Sequence, residues 1–178
     1  MNTYYWVNNK DVIFDVSSNW DTFALDNDGE ESVKDCIVNT SVYDHIADDA
    51  TKMWVESILN LARVLDKPIE RHYRCDSDSI KRYMRLTVEG DHKQQLRLMH
   101  ELIHSEVINP SRPFKTAKAW RVGDMVRCSI CNKVRFEDKW IEIDEVKSYP
   151  EDHYSVAYTV CMMCKIKVSN HSMANSSL

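Results

Sequence analysis

Glycine and proline are scarce, three and four among 178 residues, which excludes a collagen-like repeat and a Pro/Gly-rich disordered chain. Long apolar runs are missing as well. No stretch approaches the roughly 20 residues that a membrane-crossing helix needs. The opening "MNTYYWVNNKDVIFD" has no basic region leading to a small-residue cleavage site. The reading is therefore a folded protein with no membrane association and a cytoplasmic address. The sequence also lacks a glycine-rich phosphate loop, an H-E-x-x-H word and a serine-histidine-acid constellation. No catalytic residue is assigned, and a non-enzymatic role is expected.

What is present is an apolar share of 43%, enough for a core, in a chain that suits one domain or a domain of about 100 residues with a small appendage. Charge is uneven. Residues 1–107 hold 12 Lys+Arg against 20 Asp+Glu, and residues 108–178 hold 11 against 8. Four thiolates on a zinc ion would add about −2 to the tail and nearly cancel its excess, so nucleic acid is not an expected partner.

Apolar runs "TYYWV" and "DVIFDV" flank Asn8, Asn9 and Lys10, a spacer that predicts a β-hairpin. Trp20, Phe23 and Ala24 follow at helical spacing. Asp48 or Asp49 caps a predicted helix whose Trp54, Ile58, Leu61 and Leu65 form a core-facing stripe, and Pro68 ends it. "IERHYRCD", "KRYMRLTVEG" and "QQLRLMHELIHSEVI" read as strands. In the last of them Leu96, Leu98, His100, Leu102 and His104 would share one face. The order β-β-α-α-β-β-β predicts an α+β fold, an antiparallel sheet with helices on one face. In residues 108–124 two prolines and a run of basic residues read as a connector.

That order, with "SSNWDTFA", "SVYDHIADDATKMWVESIL" and "YRCDSDSIKRYMRLTV", resembles the PAS family of sensory and interaction domains over about residues 4–107. The likeness is to a bacterial subgroup with an N-W-x-x-F-A segment, here Asn19, Trp20, Phe23 and Ala24, and a Y-R-C-D-S segment, here Tyr73 to Ser77. The resemblance implies a PAS-like five-stranded antiparallel sheet around a small pocket, and a signalling role. It names no ligand. The asparagine-cysteine-arginine word of the flavin-binding branch is absent, so flavin is not supported. Haem is not supported either: His45, His72, His92, His100 and His104 are available as axial ligands, but lone histidines are a weak signal. Covalent C-x-x-C-H attachment is excluded, because Asn132 follows Cys131 and Lys165 follows Cys164. In "YRCDS" the alternation of a strand puts Arg74 and Asp76 on one face and turns Cys75, read as a buried thiol, to the other.

Cys128, Cys131, Cys161 and Cys164 form two C-x2-C pairs separated by 29 residues. Two residues between ligands let a tight turn aim both sulfurs at one point, and a reducing cytosol favours metal over disulfides. Asn132 suits a turn position that needs a positive φ. "KVRF" and "KWIEI" on either side of "EDK", with "SVAYTV" before the second pair, predict a small ribbon. A segment of about 55 residues has little core of its own and gains from a metal. A structural zinc ion on these four cysteines is the expected cofactor, with reduced or disulfide-forming thiols and an iron-sulfur centre as the alternatives.

The segment resembles a cysteine-rich tail attached to PAS or receiver modules in some bacterial signalling proteins. The matching positions are Cys128, Cys131, Lys133, Arg135, Trp140, Glu142, Cys161 and Cys164, with Met162 and Met163 where the family pattern has a proline. The expected organisation is a PAS-like domain over 1–107, a connector over 108–124, and over 125–178 a β-rich zinc-ribbon-like appendage with a flexible C-terminal end. The expected function is a sensory module that works through a protein partner or self-association, as in a dimer, with room for a small-molecule ligand. The alternatives are a thiol redox sensor or oxidoreductase, and a nucleic-acid-binding zinc ribbon that would use the connector and Trp120.

Overall fold

Asn8 sets the first hairpin. Its side-chain oxygen accepts from the N–H groups of Lys10 (2.8 Å) and Val12 (3.1 Å), a local turn that reverses the chain between β1 (Asn2–Val7) and β2 (Ile13–Val16). The computed structural model describes residues 2–27, 29–91, 94–117, 125–147 and 153–166. His92, Trp120, the connector beyond residue 117 and the C-terminal end from residue 167 lie outside the described residues.

Helix α1 (Trp20–Leu25) is tied to the acidic loop after it, where the Trp20 indole N–H donates to the Ser32 carbonyl at 2.7 Å. A short α2 (Lys34–Ile37) and a 3-10 turn (Val42–His45) lead to α3 (Asp49–Leu65). Asp48 is the α3 cap, accepting from the Thr51 N–H at 2.9 Å, and Asp66 ends the helix at φ 48. Strands β3 (Ile69–Arg74), β4 (Ile80–Gly90) and β5 (Leu96–Val107) complete a sheet of order β2-β1-β5-β4-β3.

The fold is α+β, with two sheets, the second of which mixes parallel and antiparallel pairings, and few helices. Two compact units divide it: residues 1–73 with 83–104, and residues 74–82 with 105–178. The core of the first unit joins all five strands of the first sheet to the helices. Val7, Ile13, Val16, Ile69, Leu86, Val88, Leu96 and Leu98 from the strands meet Ile37, Ile58, Leu59 and Ala62. The buried face of α3 is centred on Ile58, Leu59 and Ala62, while Trp54 and Leu61 pack at its margin. Leu65, expected in that stripe, is 43% exposed. The expected alternation of β5 holds at Leu96 and Leu98, but Leu102 is 40% exposed, because past His100 the strand lies open to solvent.

The second unit carries its own sheet of β6 (Phe114–Thr116), β7 (Met125–Cys128), β8 (Val134–Phe136), β9 (Lys139–Ile141) and β10 (Tyr154–Thr159), in the order β6-β10-β7-β8-β9. Its apolar cluster is small. Ile108, Val134, Ile143 and Val146 are buried, with Phe114, Met125, Ile141 and Tyr154 packed around them. Glu137 and Asp138, both at positive φ, form the two-residue turn between β8 and β9, as a type I′ hairpin requires.

Candidate metal centre

The four cysteines meet because β7 and β10 run parallel. Their register pairs Thr159 with Cys128, so both strands deliver a C-x2-C pair to the same end of the sheet. Cys128 closes β7, and the turn after it is shut by the Cys128 N–H to the Lys133 carbonyl (2.8 Å) and the Asn132 N–H to the Cys128 carbonyl (2.9 Å). Asn132 adopts φ 57, as its sequence position predicts. Cys161 follows β10, and residues 162–166 are helical, so Cys164 lies in the first turn. The Cys164 N–H donates to the Cys161 carbonyl at 3.0 Å.

All four sulfurs lie within 4.8 Å of one another, and Cys131 Sγ is 3.8 Å from Cys161 Sγ. Zinc–sulfur bonds of about 2.3 Å make a tetrahedron with edges of about 3.8 Å, and a disulfide would need about 2.05 Å. The cluster therefore has the dimensions of a four-thiolate metal site and not of two disulfides. Cys128, Cys161 and Cys164 are buried and Cys131 is half-buried. The Cys161 N–H points at Cys128 Sγ from 3.4 Å, the kind of donor that stabilises a ligating thiolate.

The thiols of Cys128, Cys131 and Cys164 act on one another's protons. Hydrogen bonds from the Cys131 and Cys164 thiols, with help from the backbone N–H groups of Cys131 and Cys161, hold the Cys128 thiol far below its ordinary range. The same contact with Cys128 pushes Cys131 up to about 11 and Cys164 higher still. The Cys128 thiolate forms readily, while Cys131 and Cys164 hold their protons until a cation arrives, so metal uptake releases protons. The four cysteines can bind a metal such as zinc, and their geometry alone does not choose among thiophilic metals.

A buried ion network in the same unit holds the first knuckle. The Arg74 N–H donates to the Ile130 carbonyl at 2.8 Å, and Asn132 Nδ2 donates to the Arg74 carbonyl at 3.2 Å. The Arg74 guanidinium grips Asp76 side-on, Nε to Oδ1 at 3.1 Å and NH2 to Oδ2 at 2.5 Å, and reaches Glu142 Oε2 at 2.5 Å. Asp76 also receives Arg127 NH2 at 3.3 Å, while the Arg127 guanidinium lies 4.0 Å from the centre of the Phe114 ring. Lys81 bonds Asp144 at 2.8 Å. Burial opposes the charge on Arg74, and Asp76 and Glu142 more than offset it, raising its pKa.

Arg74 and Asp76, which strand alternation places on one face, are thus paired, buried, and joined to residues 51 to 68 positions away. Arg127, Lys81 and Asp144 carried no local signal of their part in it. Cys75, expected to be buried, is exposed, as is Cys36. Lys133 lies 3.9 Å from Glu142, and Arg135 pairs with Trp140 across β8 and β9.

In the first unit, His100 Nδ1 shares a 2.7 Å hydrogen bond with the Tyr73 hydroxyl, and the Tyr5 ring stacks on the imidazole at 5.6 Å. Desolvation pushes His100 down to about 4. His45 is bound to Thr40, and His104 stacks on Tyr83. Residues Ala62, Arg63, Asp66, Asp91 and Leu96 line a cleft of about 230 Å³, below the roughly 300 Å³ at which small-molecule sites begin. No protein-family model, curated protein or solved structure matches the chain.

Proposed function

We propose that the chain is a non-enzymatic signalling module: a PAS-like sensory domain over residues 1–107, followed by a tail clamped by a structural zinc ion on Cys128, Cys131, Cys161 and Cys164. The observation that carries the tail half of this reading is the four-sulfur cluster, whose sulfurs all lie within 4.8 Å of one another. Four protein ligands leave no open coordination position, which suits a structural site better than a catalytic one. The ion's chemistry is to cross-link the ends of β7 and β10. The chain's own residues shape the turn, donate N–H groups to sulfur and bury the site.

Support for the sensory half is the resemblance of residues 4–107 together with a five-stranded sheet whose core face meets helices. With no catalytic constellation, the output passes to a protein partner or to a second copy of the chain.

Elemental analysis and an absorption spectrum of protein purified without chelator test the tail. The expected result is one zinc per chain, no visible colour and four thiols protected from alkylation. A coloured preparation would replace zinc by an iron centre. Metal-free protein whose thiols respond to mild oxidant would favour the redox sensor. For the sensory half the check is a change in oligomeric state or a copurifying partner, and ligand screens and pull-downs that both stay empty would remove it.

A further inference from the structure

Arg71 lies on β3, the edge strand of the first sheet, and is 9% exposed. Strand alternation puts it on the same face as Ile69 and Tyr73, which belong to the core cluster and its margin. Its NH1 donates to the Glu70 carbonyl at 2.7 Å, while Nε and NH2 are buried without a hydrogen-bond partner. The other buried unpartnered side-chain nitrogens among the described residues are single Nε atoms of Arg63, Arg97 and Arg112. The terminal nitrogens of Arg63 and Arg97 hold carboxylates. Arg71 alone among these has two donors unengaged.

The identity of those two donors is informative. Nε and NH2 are the parallel pair that grips a carboxylate side-on, and Arg74, three residues later, uses the same two atoms to hold Asp76. Arg71 has the same fork in a buried setting and no carboxylate in it. Its guanidinium is pushed below its ordinary value by desolvation, with no acid offsetting the shift as Asp76 and Glu142 do for Arg74. A buried charge left in this state is costly unless something pairs with it. The same face carries the Tyr73–His100 hydrogen bond and the Tyr5 ring, polar and aromatic groups of the kind that line small-molecule sites.

We propose that Arg71 anchors a binding site for a small organic acid on the helix-facing side of the first sheet, holding the carboxylate side-on through Nε and NH2. This assigns a ligand class to the sensory role and rests on that reading. Binding brings the carboxylate into the fork and withdraws it from water. The site therefore stays shut to solvent until packing around β3 yields.

The test is thermal unfolding of the full chain with acetate, succinate, citrate or inorganic phosphate at matched ionic strength, with Arg71→Met and Arg71→Lys alongside. The expected result is a saturable rise in Tm with at least one of the carboxylates. Affinity should fall at least tenfold in Arg71→Lys, which keeps the charge and loses the fork, and vanish in Arg71→Met. Without added acid, Arg71→Met should be at least as stable as the parent, because it removes an unpaired charge. A marked loss of stability in Arg71→Met without acid would make Arg71 structural and overturn the proposal. So would phosphate being the only anion that saturates, or a carboxylate that shifts parent and both variants equally. That last result would leave the sensory reading standing. Mass spectrometry of small molecules released from denatured parent protein is an independent readout, with an organic acid at near-unit stoichiometry as the expected finding.

Discussion

The two units reach a folded state by different means. In the first, apolar side chains from all five strands and two helices close a continuous core. In the second, the apolar cluster of Ile108, Val134, Ile143 and Val146 is supplemented by ion pairs at Arg74, Asp76, Arg127 and Lys81, and by four cysteines. Apolar burial is non-directional and scales with area. Cross-links and ion pairs depend on a few atoms in fixed positions, so the second unit should fail sharply when one group is removed. That contrast can be broken in four places.

The largest effect is expected from the metal. Structural zinc supplies about 10–16 kcal/mol of apparent binding energy in zinc-finger peptides, more than the total stability of most domains. Chelation, or Cys161→Ser, should abolish amide-exchange protection in β7 and β10 and leave that of α3 and of Leu96 to Leu98 intact. Equal loss in both units would erase the distinction drawn between them.

Asp76 comes next. Its side chain is fully buried between Arg74 and Arg127, so Asp76→Ala leaves two guanidinium groups facing each other. Removing one partner of a buried pair costs about 3–5 kcal/mol. The denaturation midpoint of the second unit should drop accordingly, with metal content retained. A cost below about 1 kcal/mol, the range of exposed pairs, would mean that the network adds little.

In the first unit the equivalent vulnerability is one titrating group. His100 sits near pKa 4 in the fold, against about 6.5 when unfolded. Between those values the unfolded chain takes up a proton that the folded chain refuses. Stability from this group is therefore complete above about pH 6.5 and is lost as pH falls towards 4, by about 3 kcal/mol at most. Urea unfolding of parent and His100→Asn across that window isolates the effect, since the carboxylates are common to both. The variant should show the shallower slope, and parallel slopes would refute the assignment.

Features set by neighbouring residues were legible in the sequence. The Asn8 turn, the Asp48 cap and the left-handed Asn132 each depend on atoms within a few positions. The pairing of cysteines was legible because spacing encodes it. What could not be read was long-range. Nothing in "SVAYTV" says that β10 runs parallel to β7, yet that register is what brings the two C-x2-C pairs together. Likewise "YRCDS" puts an arginine and an aspartate on one face but does not announce the Arg127 and Glu142 that join them. Burial of Cys75 was misjudged for the same reason: alternation assigns a face, and the rest of the fold decides whether that face is covered.

The smallest effect tests the hairpin that supports the metal centre. Glu137 and Asp138 sit at φ 45 and 63, a conformation that costs an L-residue about 1–2 kcal/mol and glycine nothing comparable. Glycine gives back about 0.5–1 kcal/mol in backbone entropy. Asp138→Gly, with Asn at position 137 to match the preferred type I′ pair, should therefore stabilise the second unit by up to about 1 kcal/mol. The gain should appear in the denaturation midpoint of metal-loaded protein and disappear once chelator has unfolded β8 and β9, because the turn then has no strands to join. A gain that survives chelation would show that this hairpin stands without the metal, and would confine the metal's contribution to β7 and β10.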